Sequence, residues 1–213
     1  MCKIMINNLK LIESLIDFPD EDTFYKIEII VRRKDNPDLT SNTKLVKTYY
    51  ITDKEKLERV FEKEIKPICD VLNARASFYL NKRSFEKTAF AALKQLTDNL
   101  ITHDYKAAKR AYNSACGKTC NGGEDKRWIF DLDEKNEAIA NKIDELVISV
   151  GGKVYAHIPT KHGIHIITSV FNIKEYERVM SEKLTNFSHE WEVISTMDIH
   201  KDNGTILYIP DNE

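Results

Sequence analysis

Two aspartates at the end of one apolar stretch are the residues of this sequence best suited to chemistry. Residues 127–134 run Arg-Trp-Ile-Phe-Asp-Leu-Asp-Glu, so Asp131 and Asp133 interrupt a series of strand-forming side chains. In a strand, residues i and i+2 project from the same face, which places both carboxylates together. Like charges at that separation repel each other and lose hydration unless something compensates. A divalent cation such as Mg²⁺ would compensate, and an acidic pair that only ends the strand and caps the next helix is the alternative.

Two later segments could complete such a site. The hairpin from Thr160 to His165 carries an imidazole beside the cation of Lys161, and its Gly163 allows the backbone to approach a ligand closely. Asp198 lies near the end of a later predicted strand. Three carboxylates around one basic pocket fit two divalent ions and a triphosphate.

Length and composition set broad bounds on the class of protein. The chain has 213 residues, of which 42% are hydrophobic and 31% charged, which suits one large globular domain or two small lobes. No window approaches the ~18 apolar residues of a membrane span, and the N-terminus lacks the pattern of a signal peptide. The four cysteines are too few and too scattered for a disulfide framework, so we expect a cytoplasmic protein with no membrane partner.

The net charge of −2 conceals a local basic surplus. Between Arg75 and Arg127 there are eleven lysines and arginines against five aspartates and glutamates. Such a surplus could line a groove for a polyanion, or it could be the solvated face of helices. The sequence leaves both interpretations open.

Hydrophobic periodicity predicts the elements that must position these residues. Strands are expected at Phe24–Arg33, Val46–Thr52, Ala74–Asn81, Trp128–Asp133, Val154–Pro159, Ile164–Val170, Trp191–His200 and Thr205–Ile209. Helices are expected within residues 1–22, from an Asp53 N-cap to Leu72 with a break near Pro67, from a Ser84 N-cap to Leu100, and at Tyr105–Ala115, Glu137–Val150 and Lys174–Leu184. The last two strands are expected to form a hairpin-like pair through residues 201–204.

A glycine-containing connection at residues 116–123 is the expected boundary between two lobes. The first, residues 1–120, would be an α/β lobe whose basic cleft wall begins near residue 75. The second, residues 125–213, has the order β-α-β-β-α-β of split βαβ domains, such as ferredoxin-like and RNA-recognition-motif domains. In that arrangement the first and third strands are neighbours at the centre of the sheet, which would bring His165 next to the aspartates.

These motifs resemble those of the archaeo-eukaryotic primase superfamily. The resemblance covers roughly Arg75 to Pro210, and its three main motifs occur in the family's order. They are Phe130-Asp131-Leu132-Asp133, then Thr160 with Gly163-Ile164-His165, and then Met197-Asp198 followed by Thr205-Ile206-Leu207-Tyr208-Ile209-Pro210. Arg75-Ala76-Ser77-Phe78 and Arg83-Ser84-Phe85 are similar to the arginine-containing strand and basic segment of the family's N-terminal lobe.

The resemblance implies a fold, an activity and a set of site residues. The fold would be α+β, with an RRM-like split βαβ catalytic core (an antiparallel sheet with helices) and an N-terminal α/β lobe. The activity would be that of a primase-like DNA or RNA polymerase, transferring nucleotides from NTP or dNTP to a strand paired with a single-stranded template. Two Mg²⁺ or Mn²⁺ ions would be held by Asp131, Asp133 and Asp198. The nucleotide would be bound by His165, Lys161, Thr160, Gly163, Arg75, Lys82 and Arg83.

Three departures from the family pattern accompany the resemblance. Tyr208 stands where the family usually has arginine, His162 replaces a small or basic residue, and the sequence given ends at Glu213 without a C-terminal helical domain. We therefore expect a minimal member of phage or mobile-element type, a subunit that needs a helicase or other replication partner, or a degenerate binder.

Other functions of the same residues stay open. A zinc site at Cys116 and Cys120 is disfavoured, because no second Cys or His pair stands nearby in the sequence. A non-catalytic single-strand binder would use exposed aromatic residues on the sheet, where this chain has carboxylates that repel phosphate. A two-metal nuclease would use the same carboxylates, and a product assay separates shortening of a strand from its extension.

Overall fold

The chain folds as an α+β protein with two antiparallel sheets in the computed structural model, which describes residues 5–118, 125–185 and 188–211. Part of the predicted connection at residues 116–123 lies outside the described residues. No helix within the described ranges is both long and apolar enough to cross a membrane.

The first sheet has five strands in the order β1-β9-β4-β2-β3. These strands are β1 (Ile6–Asn7), β2 (Thr23–Arg32), β3 (Thr43–Ile51), β4 (Arg75–Ser84) and β9 (Gly204–Ile209). Alternation along β2 points Tyr25, Ile27 and Ile29 into a core that also receives Leu57 and Phe61. The strand predicted at Phe24–Arg33 is therefore confirmed, with bounds one residue earlier.

Helices flank this sheet. They are α1 (Leu9–Leu15), α2 (Lys54–Val60), a π-helical turn (Phe61–Ile65), α3 (Lys66–Leu72), α4 (Phe85–Ile101), α5 (Tyr105–Ala108) and α6 (Ala111–Lys118). The predicted N-caps are confirmed, because the side chains of Asp53 and Ser84 accept hydrogen bonds from the backbone of Lys56 and Lys87. The predicted break near Pro67 takes the form of the π-helical turn, since proline lacks the N–H that a regular α-helix needs.

The second sheet has four strands in the order β6-β7-β5-β8. Its elements are β5 (Arg127–Leu132), α7 (Glu137–Ser149), β6 (Val154–Pro159), β7 (Ile164–Ser169), α8 (Ile173–Leu184), α9 (His189–Thr196) and β8 (Ile199–His200). As predicted for the first and third strands of this half, β5 and β7 are neighbours, and Asp131 pairs with His165. Phe130, Leu132 and Ile166 pack on α7 and α8, which leaves the face of Asp131 and His165 toward the first sheet.

The predicted strand Trp191–His200 is wrong. Residues 189–196 form α9, and only Ile199 and His200 are extended. The β-branched and aromatic residues of this segment favour a strand locally, but i,i+3 spacing lets Trp191 and Ile194 pack on the helical layer of the second sheet. The prediction that Asp198 lies near the end of this strand is therefore also wrong, because Asp198 lies between α9 and β8.

The predicted hairpin between the last two strands is wrong as well. Strand β8 pairs with β5, whereas β9 pairs with β1 and β4 in the other sheet. Residues 201–203 thus lead the chain from the second sheet back to the first. One core spans both sheets, since Ile129 and Ile167 cluster with Leu207 and Tyr208. The predicted lobe boundary at residues 120–125 assigns β9 to the second lobe. The hydrogen bonds of β9, however, place this strand in the first sheet.

Candidate functional site

A cleft between the two sheets brings most of the predicted site residues together. A cavity of about 250 Å³ there is lined by both aspartates of the first motif, Asp131 and Asp133. Four further predicted site residues line the same cavity: Thr160, Lys161, His165 and Arg75. His162, which departs from the family pattern, lines it as well. The first sheet contributes Arg75 from the start of β4, and the second sheet contributes the others. Opposite signs of charge therefore meet in one cleft.

His165 connects the carboxylate of Asp131 to the first sheet. Its Nε2 lies 3.2 Å from Oδ1 of Asp131, and its Nδ1 lies 2.9 Å from the hydroxyl of Thr205 on β9. The ring is buried, and Asp131 is partly exposed to the cleft. The hydrogen bond from His165 is the main cause that holds the pKa of the Asp131 carboxyl below its ordinary value. Asp131 thus remains an anion at neutral pH despite its partial burial.

Gly163 fixes the distance between the β6–β7 hairpin and the strand that carries the aspartates. A Cβ atom at this position would lie 1.7 Å from the carbonyl oxygen of Leu132. The close approach expected toward a ligand is therefore an approach to the chain's own backbone between Asp131 and Asp133. Thr160 closes the same hairpin, because its hydroxyl accepts a hydrogen bond from the Gly163 N–H at 2.9 Å.

Asp198 lines a neighbouring cavity of about 390 Å³, which it shares with Asp131 and Asp133. The antiparallel pairing of β5 with β8 ends at Phe130 and Ile199, and Asp131 and Asp198 are the next residues beyond that last pair. Asp131 on β5 and Asp133 directly after it thus stand at the junction of two cavities. The second cavity is acidic, since Glu134 also lines it.

Arg75 is held in the cleft by an acid that the sequence-based prediction missed. Its Nη2 donates a hydrogen bond of 2.8 Å to Asp35, which lies in the turn after β2. The same carboxylate lies 3.5 Å from Nζ of Lys161. Burial lowers the pKa of Arg75, and the Asp35 charge opposes that shift.

Two predicted phosphate ligands lie elsewhere. Arg83 is fully buried, and it donates hydrogen bonds to the carbonyl oxygens of Asn81 and Cys116 and to the carboxylate of Asp202. Lys82 is engaged with Asp17 at 2.8 Å and with Asp125 at 3.3 Å. Neither residue lines either cavity. All of these partners except Asn81 lie far from Lys82 and Arg83 in sequence, so the basic pattern alone did not reveal a structural role.

Several residues of the cleft were not predicted. Arg32 and Lys34 line the 250 Å³ cavity, and His189 and His200 line the 390 Å³ cavity. His200 is close to the first motif, with its Nε2 4.0 Å from Asp131. The run Arg32-Arg33-Lys34-Asp35 at the end of a strand is a signal that could have indicated a charged cleft rim. No comparable signal precedes His189.

Two residues noted for other reasons serve the core. The hydroxyl of Tyr208 donates a 2.7 Å hydrogen bond to Asp70, and its ring packs edge-on against Phe61. Cys116 is a buried free thiol whose pKa is raised by burial. Cys120, the other half of the disfavoured zinc pair, lies outside the described residues.

The donor chemistry at the junction of the cavities suits a hard divalent cation. Mg²⁺ prefers oxygen ligands and is commonly held by one or two carboxylates together with substrate phosphates and water. Within the part of the chain that the structure describes, no three His, Cys, Asp or Glu side chains are grouped so as to hold a metal by themselves. Asp131 and Asp133 supply carboxylate oxygens of the kind that such an ion binds.

Comparisons with protein-family models, with curated proteins and with solved structures found no match to this chain.

Proposed function

We propose that the protein is a metal-dependent nucleotidyltransferase of primase-polymerase type, which adds nucleotides from NTP or dNTP to a nucleic-acid strand. The observation that carries the proposal is the position of Asp131 and Asp133. They line both the 250 Å³ cavity, which also contains Arg75 and Lys161, and the 390 Å³ cavity, which also contains Glu134 and Asp198. The cationic side suits the triphosphate of a nucleotide, and the carboxylates suit the metal ions that accompany it.

The roles of the chain's residues follow from their places in the cleft. Arg75 and Lys161 would bind phosphate oxygens from opposite sheets. His165, whose two ring nitrogens contact Asp131 and Thr205, would orient the Asp131 carboxylate. Asp131 and Asp133, with Asp198 across the neighbouring cavity, would hold Mg²⁺ or Mn²⁺. Such ions activate an attacking 3′-hydroxyl and stabilise the departing pyrophosphate when they are bound.

The arrangement of elements supports the same proposal. The β-α-β-β-α-β order around β5 and β7, with a second sheet across the cleft, is what the RRM-like core and N-terminal lobe of archaeo-eukaryotic primases would require. A shared arrangement of elements does not determine function by itself. The side chains of the cleft are therefore the main support for this function.

Calorimetric titration of a non-hydrolysable nucleoside triphosphate, with and without Mn²⁺, tests the binding step. We expect Mn²⁺-dependent binding in wild type that is lost in Asp131→Asn/Asp133→Asn. The control is Asp38→Asn/Glu145→Gln, which changes the charge equally at two exposed positions outside both cavities. Absence of triphosphate binding in wild type would contradict the proposal.

Incubation with a 5′-labelled primer–template and nucleotides then tests the reaction. Extension of the labelled strand, lost in the double aspartate variant, is the expected result. Shortening of the strand would identify a nuclease with the same carboxylates. Binding of single-stranded DNA without any change in its length, and without metal dependence, would identify a non-catalytic binding module.

A further inference from the structure

The cationic half of the 250 Å³ cavity contains an anion of its own. The Asp35 carboxylate accepts a 2.8 Å hydrogen bond from Arg75 and lies 3.5 Å from Nζ of Lys161. Arg75 and Asp35 are each only 12% exposed. Asp35 belongs to the first sheet's β2–β3 connection, and Lys161 belongs to a hairpin of the second sheet. One carboxylate therefore bridges the two walls of the cleft.

The cations around Asp35 have hydrogen-bond donors and positive charge available for a further anion. The Nε of Arg75 is buried, and no described residue forms a hydrogen bond with it. Lys161 is 44% exposed, and an ion pair of such exposure is readily exchanged for another. Arg32 and Lys34 line the same cavity and add two positive charges to it.

We propose that Asp35 is an internal counter-anion in the phosphate subsite of the cleft. When a polyphosphate enters, Lys161 leaves Asp35 and binds the phosphate instead. Asp35 retains Arg75 through their buried hydrogen bond, so the guanidinium stays positioned while Lys161 changes partner. The negative charge of Asp35 opposes every anion that enters. The attraction of the surrounding cations grows with the charge of the ligand, so a polyphosphate compensates for the lost Lys161–Asp35 contact better than a single phosphate does. This inference deepens the proposed function, on which the identity of the natural ligand depends.

The test uses inorganic tripolyphosphate without metal on the chain of 213 residues. The isosteric change Asp35→Asn removes one charge about 3 Å from the cations, and we expect calorimetry to show affinity higher by about fivefold or more. Binding of inorganic monophosphate is expected to gain by a smaller factor, because the repulsion from Asp35 grows with the charge of the ligand. The matched control is Asp38→Asn, which makes the same charge change in the same connection at an exposed position outside the cavity.

A second variant tests the exchange of Lys161. Lys161→Gln is expected to weaken tripolyphosphate binding, and to do so more strongly in the Asp35→Asn background, where Lys161 is not shared. Because Lys161 is half exposed, this variant folds even if Asp35→Asn does not, and its effect on wild type alone tests whether Lys161 binds the anion. Unchanged or reduced affinity in Asp35→Asn, or no effect of Lys161→Gln, overturns the inference.

The outcome is distinguishable from failure of the proposed function. Anion binding is measured without metal, nucleoside or nucleic acid, so it does not depend on strand extension. Tighter tripolyphosphate binding in Asp35→Asn together with no strand extension would leave a regulated anion site on a protein with another activity. Strand extension by wild type, together with unchanged tripolyphosphate affinity in Asp35→Asn, would support the polymerase activity. It would contradict the role of Asp35 as a counter-anion.

Discussion

His165 joins Asp131 to Thr205 across the two sheets. Its Nε2 lies 3.2 Å from the carboxylate and its Nδ1 lies 2.9 Å from the hydroxyl, so both ring nitrogens have a partner. A histidine that is engaged at both nitrogens has a fixed ring orientation. The position of the Asp131 carboxylate therefore depends on a strand of the opposite sheet.

The hydrogen bond between His165 and Asp131 predicts a specific pH dependence of stability. A carboxyl group whose pKa is lowered in the folded state contributes stability that is complete above its unfolded pKa of about 4 and is lost as pH falls through the folded value. We expect the free energy of unfolding of wild type to fall more steeply below pH ~4 than that of Asp131→Asn. Urea unfolding between pH 2 and 6 measures both slopes. Replacement of His165 by Asn should also flatten the slope, and equal slopes in all three proteins would refute the assignment.

Thr205 is expected to stabilise the histidine rather than only to fill space. Thr205→Val keeps the shape of the side chain but leaves the buried Nδ1 of His165 without its partner, at a cost of about 1–2 kcal/mol. Thr205→Ser retains the hydroxyl and should keep the ring orientation. The tautomer and environment of His165, followed by ¹⁵N NMR of the imidazole, distinguish loss of this hydrogen bond from loss of packing. An unchanged imidazole spectrum in Thr205→Val would show that the contact is incidental.

Gly163 is expected to tolerate no side chain. Gly163→Ala would drive a methyl group into the Leu132 carbonyl, at a cost of about 2–3 kcal/mol or a shift of the hairpin. Because that carbonyl lies between the two aspartates, triphosphate binding should weaken as well. The control is Gly117→Ala, where nothing lies within 4 Å of the new Cβ and the helix should gain about 0.5–1 kcal/mol. Thermal unfolding of both variants provides the comparison, and equal stability would contradict the geometry.

Arg83 is expected to matter for stability rather than for phosphate binding. Arg83→Gln would leave the Asp202 carboxylate and two carbonyl oxygens without their donor, and we expect a loss of about 3 kcal/mol. Lys82→Gln removes a more exposed cation with two surface partners and should cost less than about 1 kcal/mol. Chemical denaturation measures both values. A stable Arg83→Gln variant with weakened triphosphate binding would restore the role expected from the sequence.

The part of the fold that the sequence predicted well is the part encoded by local patterns. Alternation around Asp131 and helical spacing in Glu137–Ser149 indicated the β5-α7 unit, and the N-caps Asp53 and Ser84 marked two helix starts. The meeting of Asp131 with His165 followed from the order of elements, because that order makes β5 and β7 neighbours.

Predictions that depended on distant partners failed. Residues 191–196 have strand-forming side chains, yet the packing of Ile194 beneath the second sheet selects a helix. The pairing of β9 with β4 joins residues remote in sequence, so nothing local to Gly204–Ile209 indicated it. The burial of Arg83 likewise depends on Cys116 and Asp202, which no spacing rule connects to it.

The return of β9 to the first sheet has a consequence for the order in which the protein is made. Ribosomes release the N-terminus first. One edge of β4 therefore stays unpaired until residues 204–209 emerge, when Ala76 can pair with Tyr208. Pairings so remote in sequence form slowly, and an open strand edge meanwhile invites association with other chains. His165 can meet Thr205 only after β9 has docked. The cleft is therefore among the last parts of the molecule to form. The contact between His165 and Thr205 is present only in the fully folded chain.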